Sequence, residues 1–481
     1  VSAGARGLAI GLRELLAPEG SALDLAVLRV ALACVLSAST SIAAAEDWAA
    51  LPEAVRTLPE GVGWLVPHLP IDRPTVRAIR VLFHVAAALA GLGLATRASW
   101  IVTTLTAAYL LLVPQLGGAV FHDHHLLWLA VIVTASPAGD ALSIDAWRLR
   151  RSGRRPPSGS RTHGLAVRLA WLVIGLVFFF PGVHKLAESG LAWALSDNLR
   201  NQMWWKWAQD PSLLPALRID RHPTVCRALA ALVIVFELTF LPLVLHPRTR
   251  WLAVLGALAF HAGAELFMGI QFSALWATYV MFVPWSRVVA FVRARRGSRR
   301  PLEARVAAEP GSGGETAPDR PGARGLVLAA IPLFAGIVAY GARGQMQAYP
   351  FACYPTFAWI APAYMPALQV ELERADGSRA LLDRALYQEP GPRGWALSWR
   401  LAGVYGDFDR AAVEAWWSDV ASREPLRSAV HDAVVVHVAR VELSVDPDAL
   451  DHAGESDPGS MPRARRGART LVSIERSASA R

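Results

Sequence analysis

Of the 48 lysines and arginines in the chain, only two are lysines, Lys185 and Lys206. A lysine amine can be tuned to its neutral form and act as a base, whereas a guanidinium stays protonated. Lys185 follows the run Phe178-Phe-Phe-Pro-Gly-Val-His184, so it closes an apolar segment. Both a general base and a cation snorkelling to a membrane interface are consistent with that position. His261 and Glu265 are four residues apart and share a helix face, as either a proton relay or a packing hydrogen bond requires. Glu237 lies deep in an apolar run with no local partner. It must be protonated or meet a base from another helix, with Arg29 and Arg168 as candidates. His122-Asp-His-His125 offers three imidazoles and a carboxylate, the donor types of a zinc site. Their near adjacency fits a wet helix start with Asp123 near the cap, and no metal is assigned.

The elements that position these groups are apolar helices. The 481 residues are 53% hydrophobic and 18% charged, against about 25% charge in a soluble chain. This excludes a disordered protein, a coiled coil and an ordinary soluble enzyme. Nine runs approach the roughly 17–25 residues that cross a bilayer. They cover about 24–45, 76–95, 98–117, 120–138, 164–183, 225–246, 249–269, 271–292 and 325–341. The basic segments 147–155 and 293–324, the 247–250 turn and Arg97 then fall on one side, which the positive-inside rule makes cytoplasmic. The N-terminus falls there too, and the loops 46–75 and 184–224 and the C-terminal region fall outside. The opening segment, with Arg6 and Arg13, also has features of a signal peptide, although Asp24 and Arg29 interrupt its apolar run.

The expected fold class is an all-α polytopic membrane bundle of about nine transmembrane helices with a small α+β extracytoplasmic C-terminal domain. Residues 1–23 read as a cytoplasmic segment, 24–292 as an eight-helix bundle and 293–324 as a disordered basic linker. Residues 325–341 form the ninth helix, 342–450 the outer domain and 451–481 a disordered tail. Within the outer domain, 367–382 alternates and turns at Asp376-Gly377 as a hairpin does. Residues 434–445 read as a strand and 409–423 as a helix. The Trp-rich stretch 201–207 reads as an interfacial helix or a surface for a lipid-like ligand. Cys226 and Cys353 would pair only if both faced an oxidising space. The arginines sit in short segments between apolar runs, so membrane topology explains them and nucleic acid is not an expected partner. No phosphate loop, nucleophile elbow or HExxH motif is present.

Three stretches resemble the HTTM (horizontally transferred transmembrane) family, the membrane part of vitamin K-dependent gamma-carboxylase-like proteins. They are His124-His-Leu-Leu-Trp128 through Leu142-Ser-Ile-Asp145, Phe178 to Leu186 with its Gly-Val-His-Lys core, and Phe260 to Phe272. The resemblance covers roughly residues 20–292. It implies a multi-pass protein of the bacterial inner membrane that uses reduced vitamin K or menaquinone. Lys185 would be the initiating base, with His125, Glu265, His261 and Glu237 as supporting groups. His124, His184 and Phe272 would lie beside the quinol, and a protein or small acidic substrate would be the acceptor. The chain departs from the family in carrying His184 where a first lysine stands, and in a shorter C-terminal region. A second expectation is a non-catalytic quinone or lipid carrier, and a third is an assembly or sensor protein acting through the outer domain. Segment 349–357, with its Tyr349-Pro-Phe start, is expected to pack the outer domain onto the bundle.

Overall fold

The computed structural model describes residues 14–118, 123–296, 321–352, 357–388, 392–404, 408–448 and 465–475. Its larger part is a helical bundle. The helices are α1 (Ala22–Ser37), α2 (Thr40–Trp48), α3 (Arg73–Leu92), α4 (Thr96–Gln115), α5 (His124–Ala135), α6 (Ile144–Arg151), α7 (Arg161–Ser189), α8 (Asn198–Gln209), α9 (Pro223–Leu245), α10 (Arg250–Met268), α11 (Trp285–Arg296) and α12 (Pro321–Arg343).

Among the described residues, seven helical segments are long and apolar enough to cross a bilayer. An eighth arises if Ser273–Phe282 and Trp285–Arg295, bent by 59° at their junction, count as one span. The nine expected spans are thus reduced at two places. The run at 120–138 yields α5, a helix of only 12 residues. The run at 271–292 breaks at Pro284, where the ring removes a backbone donor. The many exposed leucines and valines on α3, α9 and α10, such as Val85 on α3 and Leu252 on α10, face outward as lipid-facing side chains do.

One end of the bundle is tied by Arg29. Its buried guanidinium donates to the carbonyls of Ala138 (2.7 Å), Ala141 (3.0 Å), Gly91 (3.2 Å) and Leu142. Those oxygens belong to the end of α3 and the turn after α5. A short antiparallel pair, β1 (Gly20–Ser21) with β2 (Gly159–Ser160), lies at the same end. Asp24 accepts from the Ser286 amide at 2.8 Å, and Arg168 donates to the Leu245 carbonyl at 3.2 Å. The segments carrying Arg97, Arg148 to Arg155, Arg248 and Arg293 therefore collect at one end, as the sequence pattern requires.

At the opposite end sits a four-stranded antiparallel sheet in the order β4-β3-β5-β6. Its strands are β3 (Tyr364–Arg374), β4 (Arg379–Leu381), β5 (Ala433–Ser444) and β6 (Arg465–Glu475). The hairpin turns at Gly377 with φ +77°, a conformation that favours glycine. Helices α13 (Pro392–Leu401) and α14 (Arg410–Ala421) cover the sheet, with Trp416 and Trp417 in one buried cluster with Val436 and Val438. β6 corrects the expected tail, since residues 465–475 pair along β5 despite their basic composition. The expected linker is likewise shortened, as α11 runs to Arg296 and α12 begins at Pro321. The rest of that linker and Cys353 of the suggested disulfide lie outside the described residues.

Tyr349 and its neighbours join the two parts. The Tyr349 hydroxyl donates to the Ala108 carbonyl, and the Trp128 indole donates to the Pro350 carbonyl at 2.8 Å.

Candidate functional site

α7 and α9 pack closely because glycines on α7 admit α9 side chains. A methyl group on Gly182 would lie 3.0 Å from Glu237 Cβ and 3.2 Å from Leu238 Cδ2. Gly182 thus lets the Glu237 carboxylate approach the turn that carries Lys185. Lys185 Nζ donates to Glu237 Oε1 at 2.7 Å and to Oε2 at 2.9 Å. The two residues are 3% and 4% exposed, so each solvates the other in place of water. This answers the question raised by Glu237 and corrects both candidate partners. Arg29 is bound to carbonyls at the far end, and Arg168 donates to Leu245 and lies 4.4 Å over the Trp171 ring. It also corrects snorkelling by Lys185, whose amine turns inward.

The pair forms one wall of a cavity of about 420 Å³ between α7, α8, α9 and α10. Phe178, Phe236, Phe260 and Phe272 line it, with His261, Gln202 and Trp193 as further contacts. Phe178 lies edge-on to Phe236 and Phe260, with centroids 5.2 and 6.0 Å away. His261 is held by the Tyr279 hydroxyl at 2.8 Å from its Nε2. Leu232 of α9 and Ala259 of α10 line the cavity and are also exposed on the outside of the bundle. The cavity therefore reaches the surface between these two helices, at the level of the membrane-crossing segments.

The α8 helix closes the other side. Gln202 Nε2 donates to Asn198 Oδ1 (2.9 Å) and to the Phe357 carbonyl (3.3 Å). Trp207 donates to the Phe267 carbonyl (2.9 Å) and Trp205 to the Pro362 carbonyl (2.8 Å). α8 is consequently buried between bundle and sheet, which corrects its reading as an interfacial helix. Lys206 lies 5.8 Å over the Phe357 ring, and burial pushes its amine down to about 8.

Of the residues singled out from sequence, Lys185, Glu237, His261 and Phe272 meet at the cavity. The others do not line it. His125 Nε2 lies 3.3 Å from the Ala274 carbonyl, behind the Ser273–Trp276 turn that supplies Leu275 to the wall. His124 stacks edge-on against Tyr349 at 5.2 Å. His184 points the other way, with Nε2 2.7 Å from the Gly341 carbonyl of α12. Glu265 is exposed and accepts from Gln271 at 3.4 Å, so the expected His261–Glu265 pair does not form. Asn198, Trp193 and Tyr279 were missed, whereas Gln202 and Met203 of the lining belong to the 201–207 stretch, one of whose two readings was a surface for a lipid-like ligand. The four-residue spacing of Asn198 and Gln202 was the available signal for a paired amide face.

A family model described as the HTTM domain matches residues 23–286, over half of the chain and all of the cavity-forming helices. The chain belongs to the HTTM family. No curated protein and no solved structure matches it. With its long apolar helices, this HTTM chain is a multi-pass membrane protein. The matched span includes α7, α9 and α10, so the Lys185–Glu237 pair and His261 lie within the HTTM part. The α12 helix and the sheet lie beyond it. Among the described residues no group of three or more His, Cys, Asp or Glu side chains is arranged to hold a metal ion.

Proposed function

We propose that the cavity binds a reduced naphthoquinone and that Lys185 is the base that activates it for oxygen-dependent epoxidation or carboxylation chemistry. The observation that carries this reading is a lysine amine bonded to both oxygens of a carboxylate in the wall of an aromatic cavity. The residues fit such a ring. Six phenylalanines supply flat apolar surface, and Lys185, Glu237, Gln202 and His261 border it with polar groups. With oxygen, a reduced quinone supplies a base strong enough to take a proton from a carbon acid.

The protein's own part is proton handling. When Lys185 passes its extra proton to Glu237 along the 2.7 Å contact, the amine is left neutral. A neutral Lys185 can then accept the proton of a hydroxyl placed in the cavity. Glu237 holds the transferred proton while Lys185 is occupied, so the two act as one titrating unit. His261, fixed by Tyr279, borders the cavity and orients a second polar group of the ring. The apolar lining excludes water, which would otherwise protonate a reactive carbanion.

The gap between α9 and α10 favours a second reading, a carrier that takes a quinone or lipid from the bilayer without chemistry. On both readings the arginine-rich end faces the cytoplasm of a bacterial plasma membrane and the sheet faces outward. The deciding experiment reconstitutes the protein in nanodiscs with reduced menaquinone and oxygen and measures quinone epoxide by mass spectrometry. Epoxide that requires Lys185, and is lost in Lys185→Ala and Lys185→Arg, supports catalysis. Quinol binding without epoxide, retained in Lys185→Arg, overturns catalysis in favour of the carrier.

A further inference from the structure

The arginine-rich end carries a second concavity, of about 970 Å³, unrelated to the Lys185 cavity. Arg150 of α6 and Arg293 of α11 line it together with Leu142, Trp147 and Asp140. Both arginines are exposed, and neither has an acidic partner among the described residues. The acidic groups nearby are already engaged. Asp140 Oδ2 lies 3.2 Å from His163 Nε2, and Asp145 accepts from the amides of Ala95 (3.0 Å) and Thr96 (2.7 Å). The Ser21 and Ser143 hydroxyls accept from backbone amides as helix caps. With two guanidiniums against the one carboxylate of Asp140 in its lining, the groove has net cationic character.

Apolar surface lies beside that charge. Leu142 is 59% and Trp147 is 50% exposed, and Phe291 on the Arg293 helix is 56% exposed. Trp147 in turn carries the Arg151 guanidinium 4.1 Å over its ring. Ser21 and Leu92 mark the ends of two membrane-crossing helices in the same wall, so the groove sits at headgroup depth. A soluble anion would use the arginines and leave the leucine and tryptophan wet. A lipid satisfies both sets.

We propose that this groove binds the phosphate headgroup of an anionic membrane lipid, with Arg150 and Arg293 holding the phosphate and Leu142 and Trp147 contacting the acyl chains. The site is independent of the quinol reading and stands or falls separately.

The test is native mass spectrometry of the purified full chain titrated with phosphatidylglycerol or phosphatidylcholine. Wild type retains phosphatidylglycerol and not phosphatidylcholine. The Arg150→Gln/Arg293→Gln double variant weakens that binding about 30-fold, taking the usual contribution of each juxtamembrane arginine. Arg150→Lys/Arg293→Lys retains most of the binding, because charge is kept. Arg248→Gln, an exposed arginine outside the groove, leaves it unchanged. Equal binding of the two lipids by wild type overturns the proposal, even if the Gln variant fails to fold. So does an equal loss in Arg248→Gln. Displacement of phosphatidylglycerol by excess inorganic phosphate assigns the groove to a soluble anion and also overturns it.

Discussion

The Lys185 ammonium lies 5.2 Å from the ring centroid of Trp193, whose indole N–H donates to the Phe357 carbonyl. One side chain thus touches both the reactive amine and the segment that leads to the sheet. A desolvated cation over an indole gains about 2 kcal/mol. Trp193→Leu should therefore destabilise the protein more than Trp193→Phe, which keeps a ring while losing the hydrogen bond and part of the buried volume. Thermal unfolding in nanodiscs gives the comparison, and equal losses would remove the ring contact from the account.

Breaking the Lys185–Glu237 pair from one side should be worse than removing it. A single Lys185→Ala or Glu237→Ala leaves a buried charge without its partner and costs about 3–5 kcal/mol. The Lys185→Met/Glu237→Leu double variant should recover most of that stability while remaining inactive. A double variant as unstable as the sum of the singles would contradict a mutually dependent pair.

Gly182 sets the distance between α7 and α9 at the pair. Gly182→Leu drives a side chain against Glu237 Cβ and Leu238, at an overpacking cost of about 1–3 kcal/mol. Quinol binding should fall in this variant even though neither polar residue has changed. Binding measured by ligand fluorescence quenching checks it, and unchanged affinity would show that the helix spacing is not limiting.

Lys206 gives a pH signature. Burial holds its folded amine at about 8, below the ordinary 10.5. Between those values the unfolded chain binds the proton and the folded chain does not, so stability rises with pH across that window. Below about 8 both states are protonated and the full penalty is present. Lys206→Met should raise the melting temperature at pH 7, with the gain shrinking toward pH 10.5. A constant difference between wild type and variant over that range would refute it.

The apolar runs, the arginine clustering and the hairpin at Asp376-Gly377 were legible because each depends on local composition or turn chemistry. The partner of Glu237 was not. Lys185 is 52 residues away, and the contact depends on how two helices pack around Gly182. Arg29 looked like a buried charge in need of an acid, yet carbonyls at helix ends satisfy it. That outcome follows tertiary placement of backbone oxygens, which no residue pattern records. β6 was read as disordered because its basic composition hides a strand that is stabilised by pairing with β5.

Phe357 lines the cavity, and from Ala361 onward the chain enters β3. Asn198 binds the Ala361 amide at 2.9 Å, Asn201 binds its carbonyl at 2.7 Å, and Ser189 binds the Ala358 carbonyl at 2.7 Å. The roof of the cavity and the root of the sheet are one length of backbone. A displacement of Phe357 in the cavity wall would have to be taken up by the same few residues that anchor the sheet, and a coupling carried that way would be equal in both directions.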